Sequence, residues 1–579
     1  MYGVNVRKVF HVIIYKIIDK GGKVMTQVSQ KNVKEEQKHG GQAIVDVLKK
    51  EGVTKVFGVP GESYLNVLDA LYEENEIDFI SARQEGGASF MAEGYAKSAG
   101  EVGVCTATRG PGATNLSIGL HTAQQDSTPL VALIGQVERP YRDREAFQEV
   151  DFVSFFRDLC KWTVEIDDAD RIPEILHRAF HVARSGRPGP VLVSLPEDMQ
   201  DDIVTRDTHG PIKLTTVCPD KNAVQEVAKE LKNAKKPVII AGGGVILSQA
   251  TQELVSLAEA MQIPVATAFR RFHAFPNSHP NYIGALGLGA RKALSEYIQD
   301  SDLVLALGTK FSQMTTNDYS IINEQNSRLI HVDISSDVLG RVYTPSSPIV
   351  SDVKEFLIEL LHVIEPEDNS DRQKNVAEAN EKYTRFSTPE LTDNTEYANM
   401  KSVIHYIQNE LPKNTVITSD AGNFFSWISR YFRYDEGGTY VGPTSGAMGY
   451  GMPSAIGAKV AHPDKTVISI SGDGGFMMTP QEFETAVRYD IPIISIVVNN
   501  NMYGTIHTHQ EAKFPGRVVG TKLTNPNFAE YANNFGGHGE RVEKNEDIAS
   551  AFERAIASEV PALIEVMTDP TILSANQES

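Results

Sequence analysis

Residues 471–501 read SGDGGFMMTPQEFETAVRYDIPIISIVVNNN, and the stretch just before them, KTVISI at 465–470, is an apolar, β-rich run. PQEFETAVRYD has a helical pattern with Pro480 in its first turn, and IPIISIVV is a second apolar run. The sequence predicts a strand, loop, helix and strand whose two strands are parallel and joined by a right-handed crossover. Asp473 and Asn500, 27 residues apart, then end two strands of one sheet, the edge at which open α/β sheets bind ligands. Both offer oxygen donors with no His or Cys beside them, which suits a hard cation such as magnesium. Gly472, Gly474 and Gly475 let the backbone approach a phosphate, and the next helix directs N–H groups to the same point. Either half alone would pass for a turn, because Gly, Asp and Asn are the usual turn residues. Together, at this spacing, they read as a site for a metal and a diphosphate.

Outward from this unit the chain alternates short apolar runs with helical patterns. KVFGV, VGVCTAT, PLVALIGQV and PVLVSLP form one series, KPVIIAGGGV, DLVLALG and RLIHVDI a second, and TVITSDAGN, TVISISGDGG and PALIEVMTD a third. They lack polar alternation, as strands covered on both faces do. The prediction is an α/β protein of three doubly wound parallel-sheet domains at 40–205, 218–365 and 391–570. A charged linker with some helix at 366–390, a tail at 571–579 and an N-terminal extension at 1–39 without fixed structure complete it.

The 579 residues are too many for one core, and 41% hydrophobic with 22% charged residues is ordinary globular composition. A net charge of −20 with no long basic run argues against nucleic acid or an anionic membrane as partner. Three cysteines with no C-x-x-C spacing predict neither a disulfide framework nor a zinc site, and fit a reducing cytoplasm. His11 and Lys16 break the apolar leader, which is far shorter than the roughly 20 apolar residues of a membrane span.

The Gly-Asp-Gly…Asn-Asn pattern resembles the motif of thiamine diphosphate-dependent enzymes. The resemblance implies magnesium held by Asp473, Asn500 and the Met502 carbonyl, with Tyr503 a neighbouring cofactor contact. It points to Glu85, in SARQEGGASFMAEGYAKSAG, as the carboxylate that activates the cofactor's aminopyrimidine. Glu62 in PGESY is the competing carboxylate, and Gln84 stands where relatives carry His. In TSGAMGYG, Met448 matches the residue that wedges between the cofactor's rings, and Gly446 offers its carbonyl to the pyrimidine amine. Gly422 and Asn423 in SDAGN match diphosphate contacts, and Pro111 and Asn115 in TRGPGATN match pyrimidine-side contacts. Such enzymes assemble the site from two subunits, so a homodimer or dimer of dimers is implied.

From about Gly40 to Pro570 the chain is most similar to the acetolactate synthase branch, which decarboxylates pyruvate and joins its two-carbon unit to a second 2-oxo acid. REAFQEVDF places Phe147 and Gln148 at the reacting carbons, and Gln136 and Lys161 follow in matching order. Three departures bear on the substrate. Glu197 stands for a common Lys, Lys310 for an arginine that would fork onto the second substrate's carboxylate, and His509 for a tryptophan. Lys binds an anion as a point charge and not bidentately. AGGGVILSQA matches the segment against which flavin adenine dinucleotide lies in some members, and is equally a plain glycine turn. A decarboxylase or carboligase acting on another acid, and a catalytically silent cofactor-binding protein, are the competing readings.

Overall fold

A computed structural model describes residues 12–18, 24–30, 38–206, 210–366, 368–392 and 396–577. Its body is three six-stranded, all-parallel sheets, each built from an apolar series of the sequence and covered by helices. In chain order the strands are β1 (Val12–Ile18) and β2 (Val24–Gln30), then β3 (Lys55–Gly58), β4 (Asp78–Ser81), β5 (Gly103–Ala107), β6 (Leu130–Gln136), β7 (Trp162–Glu165) and β8 (Pro190–Pro196). The second sheet holds β9 (Pro237–Ala241), β10 (Val265–Thr267), β11 (Tyr282–Ala285), β12 (Leu303–Leu307), β13 (Arg328–Asp333) and β14 (Ser347–Val350). The third holds β15 (Val416–Ser419), β16 (Tyr440–Val441), β17 (Val467–Gly472), β18 (Ile494–Asn499), β19 (His538–Val542) and β20 (Ala562–Met567).

The strand orders are β4-β3-β5-β6-β8-β7, β11-β10-β9-β12-β13-β14 and β16-β15-β17-β18-β20-β19. In the third sheet the chain leaves β15 toward β16 on one side and returns as β17 on the other. The β15/β17 boundary is therefore a switch point, where the two connections diverge and leave a crevice at the carboxyl ends of the strands. The predicted β17–helix–β18 unit lies beside it in parallel register, with Ile468 opposite Ile494.

The first and third sheets share one hydrophobic core. Phe57, Phe90 and Tyr95 pack in the same cluster as Tyr450, Ile456 and Phe483. Between them, helix Glu85–Ala99 is buried from Gly86 to Ala96 against helix Gly451–Ala461. The two backbones meet at glycines: a Cβ on Gly94 would lie 2.5 Å from the Ser454 carbonyl oxygen, and one on Gly457 2.0 Å from that of Met91.

One expectation is corrected. The extension at 1–39 is not without structure throughout, since β1 and β2 pair antiparallel, Val12 with Gln30 through Ile18 with Val24. The β-branched residues of VIIYKII favour an extended backbone that a second strand can pair. Residues 1–11, 19–23 and 31–37 of that expectation lie outside the described residues. The stretch at 366–390, read as a linker with some helix, carries helix Ser370–Ser387. Asn369 caps it by accepting the Arg372 N–H at 3.1 Å, and Val376, Ala379 and Tyr383 bury its apolar stripe on the second domain. Among the described residues no helix is long and apolar enough to cross a membrane.

Candidate functional site

The crevice beside β15, β17 and β18 is a cavity of about 450 Å³. Three loops wall it, each leaving the carboxyl end of a strand. Gly422 and Asn423 follow β15, Gly472 to Gly475 close β17, and Asn500, Met502 and Tyr503 follow β18. Gly446 and Met448 close a fourth side. Gly446 has φ +75° and open space where a Cβ would be, so its backbone is bare to the cavity.

Asp473 is 2% exposed, and its carboxylate is held in place by the chain itself. Its Oδ1 accepts the Gly474 N–H at 2.9 Å, and its Oδ2 accepts the Met502 N–H at 3.2 Å and the Asn525 amide at 2.7 Å. Burial raises its pKa, and these bonds pull it back. The Asn525 amide also donates to the Asn499 side chain at 3.0 Å, and Asn499 in turn donates to buried Glu565 at 2.7 Å. Asn501, at φ +55°, turns the chain so that Asn500 and Met502 face the same cavity as Asp473. A carboxylate, an amide oxygen and a main-chain carbonyl are hard donors, so the set fits magnesium, with the cavity beside it for a diphosphate. No cluster of three His, Cys, Asp or Glu side chains occurs among the described residues.

A second cluster sits on the first domain. Glu85 opens helix Glu85–Ala99, capped by the Gln84 side chain, which accepts the Gly87 N–H at 3.1 Å. The Asn115 amide donates to Glu85 Oε2 at 3.0 Å, and a Cβ on Gly112 would lie 3.1 Å from Oε1. Pro111 occupies the first turn of helix Gly110–Asp126, beside Glu85 and Asn115. The competitor Glu62 is turned away: Arg109 donates to it at 2.8 Å and its side chain is 65% exposed. Glu85, Pro111 and Asn115 are not among the residues that wall the Asp473 cavity.

The residues expected at the substrate scatter. Phe147 is 72% exposed, and Gln148, at φ +66°, uses its carbonyl to accept the Gly110 N–H at 3.0 Å, so this loop borders the Glu85 cluster. Gln136 is fully buried and occupied, donating to the Val150 carbonyl at 2.9 Å and accepting the Val137 N–H at 2.9 Å. Lys161 donates to the Val182 and Ser185 carbonyls inside the first domain. His509 is exposed on helix Gly504–Lys513, off the cavity wall. Lys310 lines a different cavity, of about 490 Å³, with Arg187, Arg271, Gly243 and Gly244. Its ammonium donates to the Gln125 carbonyl at 2.5 Å, and burial, with Arg187 beside it, brings its pKa down to about 8. Two glycines of AGGGV pack on Gly308: a Cβ on Gly242 would lie 2.3 Å from the Gly308 carbonyl oxygen and one on Gly244 2.6 Å from the Gly308 Cα.

Asn525 and Glu565 organise the oxygen donors, yet the sequence reading missed both, and so it missed Leu573 on the cavity wall. No fixed spacing ties them to Asp473. The Asn525-Pro526 pair, a turn signal before a helix, was the single clue.

Three family models match the chain: the N-terminal TPP binding domain of thiamine pyrophosphate enzymes at residues 38–155, their central domain at 224–360 and their C-terminal TPP binding domain at 420–566. Among curated proteins, the chain is 34% identical to a probable acetolactate synthase large subunit of Methanocaldococcus jannaschii, over 92% of each chain. It is 33% identical to the acetolactate synthase isozyme 2 large subunit of Escherichia coli, over 92% of this chain and 96% of that one. It is 34% identical to an acetolactate synthase of Mycobacterium bovis, over 92% of this chain and 88% of that one.

Proposed function

The chain belongs to the thiamine pyrophosphate enzyme family, and from that premise we propose that it is a carboligase of the acetolactate synthase type. It decarboxylates pyruvate and joins the two-carbon unit to a second 2-oxo acid. The observation that carries this reading is similarity to acetolactate synthases over nine-tenths of the chain, with the oxygen donors of Asp473, Asn500 and Met502 gathered on one cavity.

Bound there, thiamine diphosphate supplies a nucleophilic carbon and a ring system that accepts the electron pair left by decarboxylation. The chain's part is to hold, orient and protonate. Asp473, Asn500 and the Met502 carbonyl would hold magnesium, and Gly422, Asn423 and the glycines at 472, 474 and 475 would contact the diphosphate. Met448 would prop the cofactor's rings, and the Gly446 carbonyl would accept from its amine. At Glu85 the Asn115 amide occupies Oε2, which would leave Oε1 to hold the proton shared with the pyrimidine nitrogen. Glu85 is absent from the Asp473 cavity wall, which supports a site completed by a second copy of the chain, as a homodimer or dimer of dimers. Phe147 and Gln148, on an exposed loop beside Glu85, would then reach the substrate in the partner's cavity. Flavin would occupy the Lys310 cavity, and an absorption spectrum of the purified protein decides that point.

Glu85→Gln is the direct test. It keeps the Asn115 contact and removes the exchangeable proton, so turnover of pyruvate falls by a factor on the order of 100 or more while cofactor affinity holds. Unchanged turnover in that variant overturns the assignment. A specific observation favours the second reading, a decarboxylase or carboligase for another acid: Lys310 is committed to Gln125 and lies off the Asp473 cavity. Product identification with pyruvate separates the two, acetolactate supporting the first and acetaldehyde alone the second. No turnover of any 2-oxo acid would leave a silent cofactor-binding protein.

A further inference from the structure

Nine residues after Asp473 stands a carboxylate that the proposed chemistry does not use. Glu482 begins helix Glu482–Arg488 of the third domain and is fully buried. It points across the domain boundary into the loop that precedes Glu85. Its Oε1 and Oε2 accept the Arg83 N–H at 3.2 and 3.1 Å, and the Thr485 hydroxyl donates to Oε2 at 2.8 Å. The same helix and its C-terminal residue hold this loop at two further points. The Ser81 N–H donates to the Tyr489 hydroxyl at 2.9 Å, and Arg488 donates to the Ser81 carbonyl. On the other side, a Cβ on Gly87 would lie 2.6 Å from Glu482 Oε1, so the helix that carries Glu85 is seated directly on this carboxylate.

An uncompensated carboxylate is costly to bury, and here the compensation comes from main-chain N–H groups at the start of the Glu85 helix, where the helix dipole also favours negative charge. Glu482 is thus spent on fixing where that helix begins. Because Glu85 is its first residue, a shift of the 81–84 loop moves the Glu85 carboxylate with little damping. We propose that Glu482 is a positioning residue for Glu85, through which the element that follows the metal-binding motif sets the place of the proton-exchanging carboxylate. The inference rests on the reading of Glu85 given above.

The test uses the full-length protein with three variants and two readouts. Glu482→Leu removes the acceptor. Glu482→Gln keeps an acceptor for the Arg83 N–H, and the Thr485 hydroxyl can turn to accept from its amide. Glu85→Gln is measured beside them. The first readout is amide hydrogen exchange of the segment 81–90 without cofactor. Exchange there should quicken by about tenfold or more in Glu482→Leu, as local opening becomes easier, and by no more than about threefold in Glu482→Gln. The second is kcat against KM for pyruvate and cofactor affinity. Glu482→Leu should lose about tenfold or more in kcat with KM and cofactor affinity within about threefold, and Glu482→Gln should recover at least about a third of the turnover. Equal loss in the Gln and Leu variants, or unchanged exchange and kcat in the Leu variant while Glu85→Gln collapses, overturns the positioning role. Full turnover in Glu85→Gln overturns the functional reading instead. If Glu482→Leu fails to fold, Gly87→Ala presses on the same carboxylate from the other side and must show the same kcat loss and faster exchange, or the proposal falls.

Discussion

Asp420 follows β15 and opens the segment that carries Gly422 and Asn423, fully buried beneath the glycine motif. The Gly451 N–H donates to its Oδ1, and a Cβ on Gly475 would lie 2.4 Å from its Oδ2. Burial pushes the carboxyl up to about 6, with the Gly451 N–H drawing it back. An unfolded Asp titrates near about 4, so between about 4 and 6 the folded chain keeps a proton that the unfolded chain releases. The stability this contributes is complete below the unfolded value and is lost as pH rises through the folded one. Wild type should therefore lose stability relative to Asp420→Asn on going from pH 4.5 to pH 7.5, read as the difference in thermal midpoint at each pH. A difference that does not change with pH sinks the prediction. Asn525 makes a complementary case. Its amide fixes Asp473 from a loop 52 residues away, and outer contacts of this kind carry about 10–100-fold in metal affinity. Asn525→Ala should raise the magnesium concentration needed for cofactor binding by about tenfold. Asp473 and Asn500 were legible because a strand, a helix and a second strand fix their separation. Asn525 was not, because its reach depends on how an irregular loop returns.

At the scale of elements, the two buried helices that join the first and third sheets show what a pattern of apolar residues hides. Helix Glu85–Ala99 has no polar face to give it a period, since the sheet lies on one side and helix Gly451–Ala461 on the other. Gly94 of this helix and Gly457 of the other are where the backbones touch. Gly457→Ala puts a methyl group 2.0 Å from the Met91 carbonyl oxygen and should destabilise by about 1–3 kcal/mol or more, as overpacking does. Gly437→Ala, with nothing within 4 Å and no positive φ, is the control and should change little. Equal midpoints for the two variants in denaturant would refute the account. Helix Ser370–Ser387 was read as a linker with some helix. Its many charges lie on the solvent side, while Arg372 is buried and donates to the Met261, Leu231 and Ala234 carbonyls. Charge density along a sequence does not say which face carries it.

For the whole molecule, the two halves of the proposed site decide the minimum functional unit. Three parallel sheets were legible from the apolar runs, since strands covered on both faces need no polar alternation. The relation of Glu85 to Asp473 was read from the resemblance alone, because no local pattern in the sequence ties together two residues of different domains. Within one chain Glu482 holds the loop before Glu85, and Glu85 does not wall the Asp473 cavity. If each site takes Glu85 from one copy and Asp473 from its partner, two inactive variants can repair each other. Glu85→Gln and Asp473→Ala, co-expressed and assembled at random, give mixed dimers in about half of the population. Each mixed dimer has one site with both lesions and one with neither, so about a quarter of wild-type turnover should return, against almost none for either variant alone. If both residues of a site came from one chain, every site in a mixed dimer would carry one lesion. No activity would then return, whatever the mixing ratio, and the two-copy site would have to be abandoned while the reading of Glu85 and Asp473 themselves stood.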